Sequence, residues 1–151
     1  MPKIDLDFKK KLTRVEYADF LTYCYQCGAC VGDCPSAKLS PAFNPREIVL
    51  RVLLGLAEPL LKKDSIIWQC TTCYTCQEVC PQGVRPIEVI TALKNIISAQ
   101  GMLPDSISAS VGIIKDTGRV VLVSDVINKR RTEQGLTELK PVPMDELKKI
   151  L

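Results

Sequence analysis

Apolar positions recur with a helical period on both sides of two cysteine-rich stretches, and this pattern predicts a mainly α protein. Residues 1–11 alternate charge with Ile4, Leu6 and Phe8 and read as a leading arm or edge strand. Thr13-Arg14-Val15-Glu16 has the form of a capping box, and Tyr17, Phe20, Leu21 and Cys24 follow at i, i+3, i+4 and i+7. A short helix is therefore expected to lead into Cys24. Asn44, Pro45 and Glu47 are concordant start signals for a second helix, with Ile48, Val49, Val52, Leu53 and Leu56 as its apolar stripe. Gly55 and Pro59 punctuate its end, and residues 60–63 read as one further turn. Asp64 or Ser65 caps a short element that carries Ile66, Ile67 and Trp68 into Cys70. Beyond Gly83, Pro86 opens a helix with Val89, Ile90, Leu93, Ile96 and Ile97 on one side, stopped by Gly101 and Pro104.

The repeat is lost after residue 101. Residues 104–115 are weakly helical up to a break at Gly118, and residues 119–123 fit strand or helix equally. Ser124 is placed to cap a helix through Arg131 closed by Gly135, and a last short helix follows Pro143. This predicts a domain over 1–101 and an extension over 102–151. The extension has little core of its own, and its scattered apolar residues suit a docking arm for partner subunits. Lys129-Arg130-Arg131 reads as a solvated face.

The chemistry lies in two runs of one form. Cys24, Cys27, Cys30 and Cys34 precede Pro35, and Cys70, Cys73, Cys76 and Cys80 precede Pro81. Both have the C-x2-C-x2-C-x3-C-P spacing and so resemble bacterial two-cluster ferredoxins, in which the fourth cysteine of each run ligates the other cluster. On that rule one [4Fe–4S] cube takes Cys24, Cys27, Cys30 and Cys80, and the other takes Cys70, Cys73, Cys76 and Cys34. A single zinc ribbon needs four ligands, commonly two separated pairs, and does not account for two complete runs. A secreted disulfide framework is disfavoured because the chain opens without the apolar segment of a signal peptide.

Composition narrows the chemistry further. With 46% hydrophobic residues but only 5% aromatics, aliphatic helix packing must supply the core. Histidine is absent, which excludes Rieske-type ligation, histidine-ligated haem and a histidine base. The two runs use all 8 cysteines and leave no free nucleophile. The formal charge of +3 becomes about −1 once two all-thiolate clusters of about −2 each are counted, so mild basicity is no argument for nucleic acid. No apolar run reaches the ~18 residues of a membrane span. A cytoplasmic protein is expected, since reducing surroundings suit thiolate ligands.

Several stretches together resemble the small C-type iron–sulfur subunit of heterodisulfide reductase: CYQCGACVGDCPSA at 24–37, NPREIV at 44–49, LLGLAE at 53–58, 60–84 with its WQCTTCYTCQEVCPQGV, and NKRRTEQGL with PVP in the tail. The resemblance implies an α-helical ferredoxin fold with two pseudo-repeated [4Fe–4S] motifs and a C-terminal extension. It also implies a part in methanogenesis, relaying electrons from a flavin-bearing A-type subunit to a B-type subunit that reduces the coenzyme M–coenzyme B heterodisulfide. The Cys-Cys-Gly motifs of the B-type subunit and the Rossmann glycines of a flavin subunit are missing. The chain is thus expected to carry electrons rather than perform the reduction.

Other readings rest on the same cysteines. The same relay module serves sulfur-oxidising or quinone-linked complexes, differing only in tail and partners. A Lewis-acid enzyme needs a cube with a missing ligand, and a structural role for the clusters needs no docking tail. Expected modulators of cluster potential are the amides around Gly28, Gly32 and Gly83, the hydroxyls of Thr71, Thr72 and Thr75, and the packing of Tyr25, Trp68 and Tyr74. For the three aromatics, plain core is the simpler expectation.

Overall fold

The computed structural model describes residues 4–12 and 18–149. These form two compact units, Met1–Met102 and Leu103–Leu151. No β-strand occurs among the described residues. The capping box at 13–16 and Tyr17 lie outside them.

In the first unit α1 spans Phe8–Leu12, where an arm or edge strand was expected. Phe8 and Leu12, one turn apart, are both buried, so tertiary packing holds a lysine-rich segment as helix. Ahead of Cys24 the chain forms a 3₁₀ helix, Ala18–Tyr23. Leu21 is buried there, while Phe20 is exposed. The central pair is α4, Pro45–Leu53, and α6, Pro86–Ala99, which pack against each other. Helix α4 begins as its sequence predicts: Asn44 Oδ1 accepts from the Glu47 amide at 3.0 Å, a cap worth ~1 kcal/mol. Ile48, Val49 and Val52 of α4 meet Val89, Ile90, Leu93 and Ile97 of α6 in one core. Each such side chain, fully buried, contributes about 1.5–3 kcal/mol.

Gly55 closes α4 at φ 70°, and its carbonyl accepts from the Asp5 amide at 2.9 Å. A Cβ at this position would overlap the Asp5 backbone, so only glycine lets the N-terminal segment lie against the end of α4. After a 3₁₀ turn at Glu58–Leu60, Ser65 rather than Asp64 caps the 3₁₀ helix Ile66–Gln69.

Two short helices carry the repeat. Helix α2, Ala29–Gly32, follows the second cysteine of the first run and holds its third, and α5, Thr75–Glu78, stands at the same place in the second. They pack against each other, α2 also against α4 and α5 also against α6. The repeat ends there. Helix α3, Pro35–Leu39, starts directly after Cys34, whereas a turn at Gly83 follows Cys80 and leads into α6.

The second unit contains α7, Asp105–Thr117, α8, Asp125–Glu133, and α9, Met144–Leu147, with no buried residue in any of them. Side chains bonded to backbone take the place of a core. Arg119 donates to the Lys140 carbonyl at 2.6 Å, Arg131 to that of Thr137 at 3.0 Å, and Asn128 Oδ1 accepts from the Leu139 amide at 3.0 Å. Residues 119–123 are neither helix nor strand, and Val120, Val121 and Leu122 are exposed. No helix among the described residues is long and apolar enough to cross a membrane.

Candidate metal centres

The eight cysteines all carry free thiols and lie around two cavities. Cys24, Cys27, Cys30 and Cys80 line the first, together with Arg46, Val49 and Val84. Cys34, Cys70, Cys73 and Cys76 line the second, with Phe43, Ile87 and Ile90. In each, three cysteines come from one run and the fourth from the other, because α2 and α5 pack side by side and the fourth cysteines lie just beyond them.

Backbone conformation is shared between the loops. Gln26 and Gly28 have φ of 63° and 87°, and their counterparts Thr72 and Tyr74 have 56° and 64°. Three of these four are not glycine, and Thr72 is β-branched, so each of the three costs about 1–3 kcal/mol for a sparsely populated conformation. Alternating right- and left-handed residues turn successive amide N–H groups to one side, as in the anion-binding concavities of iron–sulfur and phosphate sites. Gly28 is the one residue of the four that takes this conformation without strain. Gly32 sits in α2 without a positive φ and is not required by the backbone.

The sulfurs have individual hydrogen bonds. Gln26 Nε2 donates to Cys24 Sγ at 3.2 Å, and the Val84 amide to Cys80 Sγ at 3.3 Å. Cys73 Sγ lies 3.5 Å from Thr75 Oγ1, and Thr75 lowers the Cys73 thiol pKa through its hydroxyl and its amide, against a small opposing effect of burial. Burial pushes Cys30 up to about 11, helped by the charges of Cys24, Cys27 and Cys80. Burial likewise pushes Cys76 up to about 12, followed by the charges of Cys70, Cys30, Cys34 and Cys73. Cys30 belongs to the other cavity, and α2, which carries it, packs on α5, which carries Cys76.

Cys27 and Cys73 are the exposed members of the two sets. Tyr25 and Tyr74 beside them are 59% and 47% exposed, so the core expectation fails for both. Trp68 does pack on the core, half-buried. Thr71 lines the second cavity, whereas Thr72 acts through its backbone angle. Two residues went unnoticed in the sequence. Gln26 shows no local signal. Lys94 donates to the Cys70 carbonyl at 3.1 Å and could have been found as a charge within the apolar face of α6.

The donor chemistry fits a cluster better than a single ion. Four thiols at ~2.3 Å from one zinc leave no void among them. Here the cysteines of each set stand around a cavity, and among the described residues no group of three or more His, Cys, Asp or Glu could hold one metal ion.

Residues 20–84 match the 4Fe-4S dicluster domain family, and with the helical frame this defines the class: an electron-transfer protein of α-helical ferredoxin type whose cofactors are two [4Fe–4S] clusters. The chain is 33% identical, over 98% of its length, to the C-type subunit of the H(2):CoB-CoM heterodisulfide,ferredoxin reductase of Methanothermobacter thermautotrophicus, of which it covers 82%. It is 36% identical over 78% of its length to the C-type iron-sulfur subunit of the CoB--CoM heterodisulfide reductase of Methanopyrus kandleri, covering 60% of it. It is 31% identical over 85% of its length to the C-type subunit of the Ferredoxin:CoB-CoM heterodisulfide reductase of Methanosarcina mazei, covering 81%. The chain belongs to the family of C-type iron–sulfur subunits of heterodisulfide reductase.

Proposed function

We propose that this chain relays electrons from a flavin-bearing A-type subunit to a disulfide-reducing B-type subunit of a cytoplasmic CoB–CoM heterodisulfide reductase. One cluster is held by Cys24, Cys27, Cys30 and Cys80, the other by Cys70, Cys73, Cys76 and Cys34. The observation that carries this reading is the sorting of eight thiols around two cavities, joined where α2 packs on α5. The relatives support the choice of complex, since their names join the C-type subunit to heterodisulfide reduction with hydrogen in one case and ferredoxin in another. A shared relay subunit suits such different electron sources.

When bound, each cluster takes up and gives off one electron at a time, at a potential set by hydrogen bonds to sulfur, net charge and solvent exposure. The chain's own residues supply those settings. Val49 and Val84 around one cavity, and Phe43, Ile87 and Ile90 around the other, give each site an apolar inner side, while Cys27 and Cys73 stay exposed. Gln26 and the Val84 amide donate to sulfur in one site. In the other the Thr75 hydroxyl becomes the donor once Cys73 is a thiolate. Packing of α2, which carries Cys30, on α5, which carries Cys76, joins the two sites for the step between them. Exposed Cys27 and Cys73 are the points a partner's redox centre approaches. Residues 102–151 serve as a docking arm, supported by the exposure of Val120, Val121 and Leu122.

With every cysteine a ligand and no histidine, nothing remains to open a disulfide. The cluster-replete chain alone, given reduced viologen and heterodisulfide, should release no thiol. Turnover should appear when the B-type subunit is added. Sustained thiol release by the chain alone, above the no-protein control, would overturn the relay.

A further inference from the structure

Helix α6 presents Ile87, Ile90 and Lys94 along one stripe. The two isoleucines line the second cavity. Lys94, one turn further on, is half-buried. Its ammonium donates to the Cys70 carbonyl at 3.1 Å and sits 5.7 Å from the centroid of the Trp68 ring. Neither partner carries a compensating charge, and among the described residues no carboxylate pairs with Lys94. A cation placed in an apolar helix face is costly unless an anion shares its surroundings. The first cavity also has a cation in its lining, Arg46, but that side chain is exposed and its field is screened by water.

We infer that Lys94 tunes the potential of the second cluster. Its fixed charge favours the reduced, more negative state there, so an electron shared between the two clusters is drawn toward the second. The inference rests on the proposed ligand set of Cys34, Cys70, Cys73 and Cys76. The electron is the one supplied by the donor subunit, and no bond forms or breaks. Lys94 acts through the Cys70 main chain and through space, as a positioning charge that touches no sulfur. Its contact with Trp68 keeps the stem from swinging out into water.

The test is an anaerobic redox titration of the full, cluster-replete chain, followed by electron paramagnetic resonance, with the second cluster's signal identified as the one lost in Cys73→Ser. Lys94→Gln and Lys94→Met should each move the electron's distribution about tenfold toward the first cluster, a fall of ~59 mV in the second midpoint relative to the first. Lys94→Arg should restore most of the shift, since it keeps the charge and changes the shape. Equal shifts in both clusters, no shift in the second, or an arginine variant that behaves like glutamine would overturn the inference. So would failure of both neutral variants to hold the second cluster, which would make Lys94 structural. A Cys73→Ser chain that lost both signals or neither would contradict the ligand set itself, whatever the Lys94 variants did.

Discussion

Gly28 in the first cysteine loop and Tyr74 in the second stand at the same place in the repeat, with φ of 87° and 64°. One residue adopts that angle freely, and the other is strained by it. Two positions earlier Gln26 and Thr72 share a left-handed conformation that neither favours. The two loops therefore share a backbone while their residues differ, which points to a demand from inside the loop. Left-handed residues of this kind can turn main-chain amides toward an anionic group held in the loop. Around the sulfurs the two loops diverge. The first has an amide side chain on Cys24 and an exposed Arg46, and the second has a hydroxyl at Cys73 and a half-buried Lys94. A shared backbone with altered surroundings is how one fold can hold two clusters at different potentials.

The largest expected effect falls on both loops alike. Anaerobically purified chain should contain about eight iron atoms and a similar amount of labile sulfide, and stripping the iron should unfold the first unit, since cluster binding and folding are coupled. Iron analysis with circular dichroism checks this. Zinc in place of iron would contradict it.

A pair of substitutions should move the loops in opposite directions. A Cβ at Gly28 meets nothing within 4 Å, so Gly28→Ala carries only the backbone penalty of about 1–2 kcal/mol. Tyr74→Gly should relieve strain of about 1 kcal/mol, less the extra entropy of an unfolded glycine. The denaturant midpoint for loss of each cluster's signal should fall in the first variant and hold or rise in the second.

Much of this frame was legible in the chain, and the exceptions have physical causes. Asn44 with Pro45, and Pro86, mark the starts of α4 and α6 because caps and ring geometry act locally. The cysteine spacing carried the chemistry for the same reason. Helix α1 was missed because five residues with three lysines have no helical strength until Phe8 and Leu12 are buried. The left-handed Gln26, Thr72 and Tyr74 run against their propensities, and only the group they surround explains them. Tyr25 and Tyr74 were expected in the core as aromatics, yet they are exposed and flank exposed cysteines. Lys94 was visible as a charge within the apolar face of α6, but its bond to the Cys70 carbonyl depends on how α6 packs.

Smaller effects should separate the loops by their hydrogen bonds. Gln26→Leu should lower the midpoint of the first cluster only, and Thr75→Val that of the second only, each by less than the ~59 mV that changes a distribution tenfold. A redox titration that found both clusters shifted by either change would remove the distinction drawn between them. Smallest of all, truncation after Gly101 should leave iron content unchanged, because residues 102–151 contain no cysteine. The loss should appear in partner binding, read by co-purification.

The crossing of ligands between loops is tested most directly by comparing Cys34→Ser with Cys27→Ser and Cys73→Ser by electron paramagnetic resonance of the reduced chain. Cys34→Ser should disturb the signal that Cys73→Ser disturbs, and Cys80→Ser should match Cys27→Ser. If Cys34→Ser instead removed the signal lost in Cys27→Ser, each run would ligate its own cluster and the crossed arrangement would be contradicted.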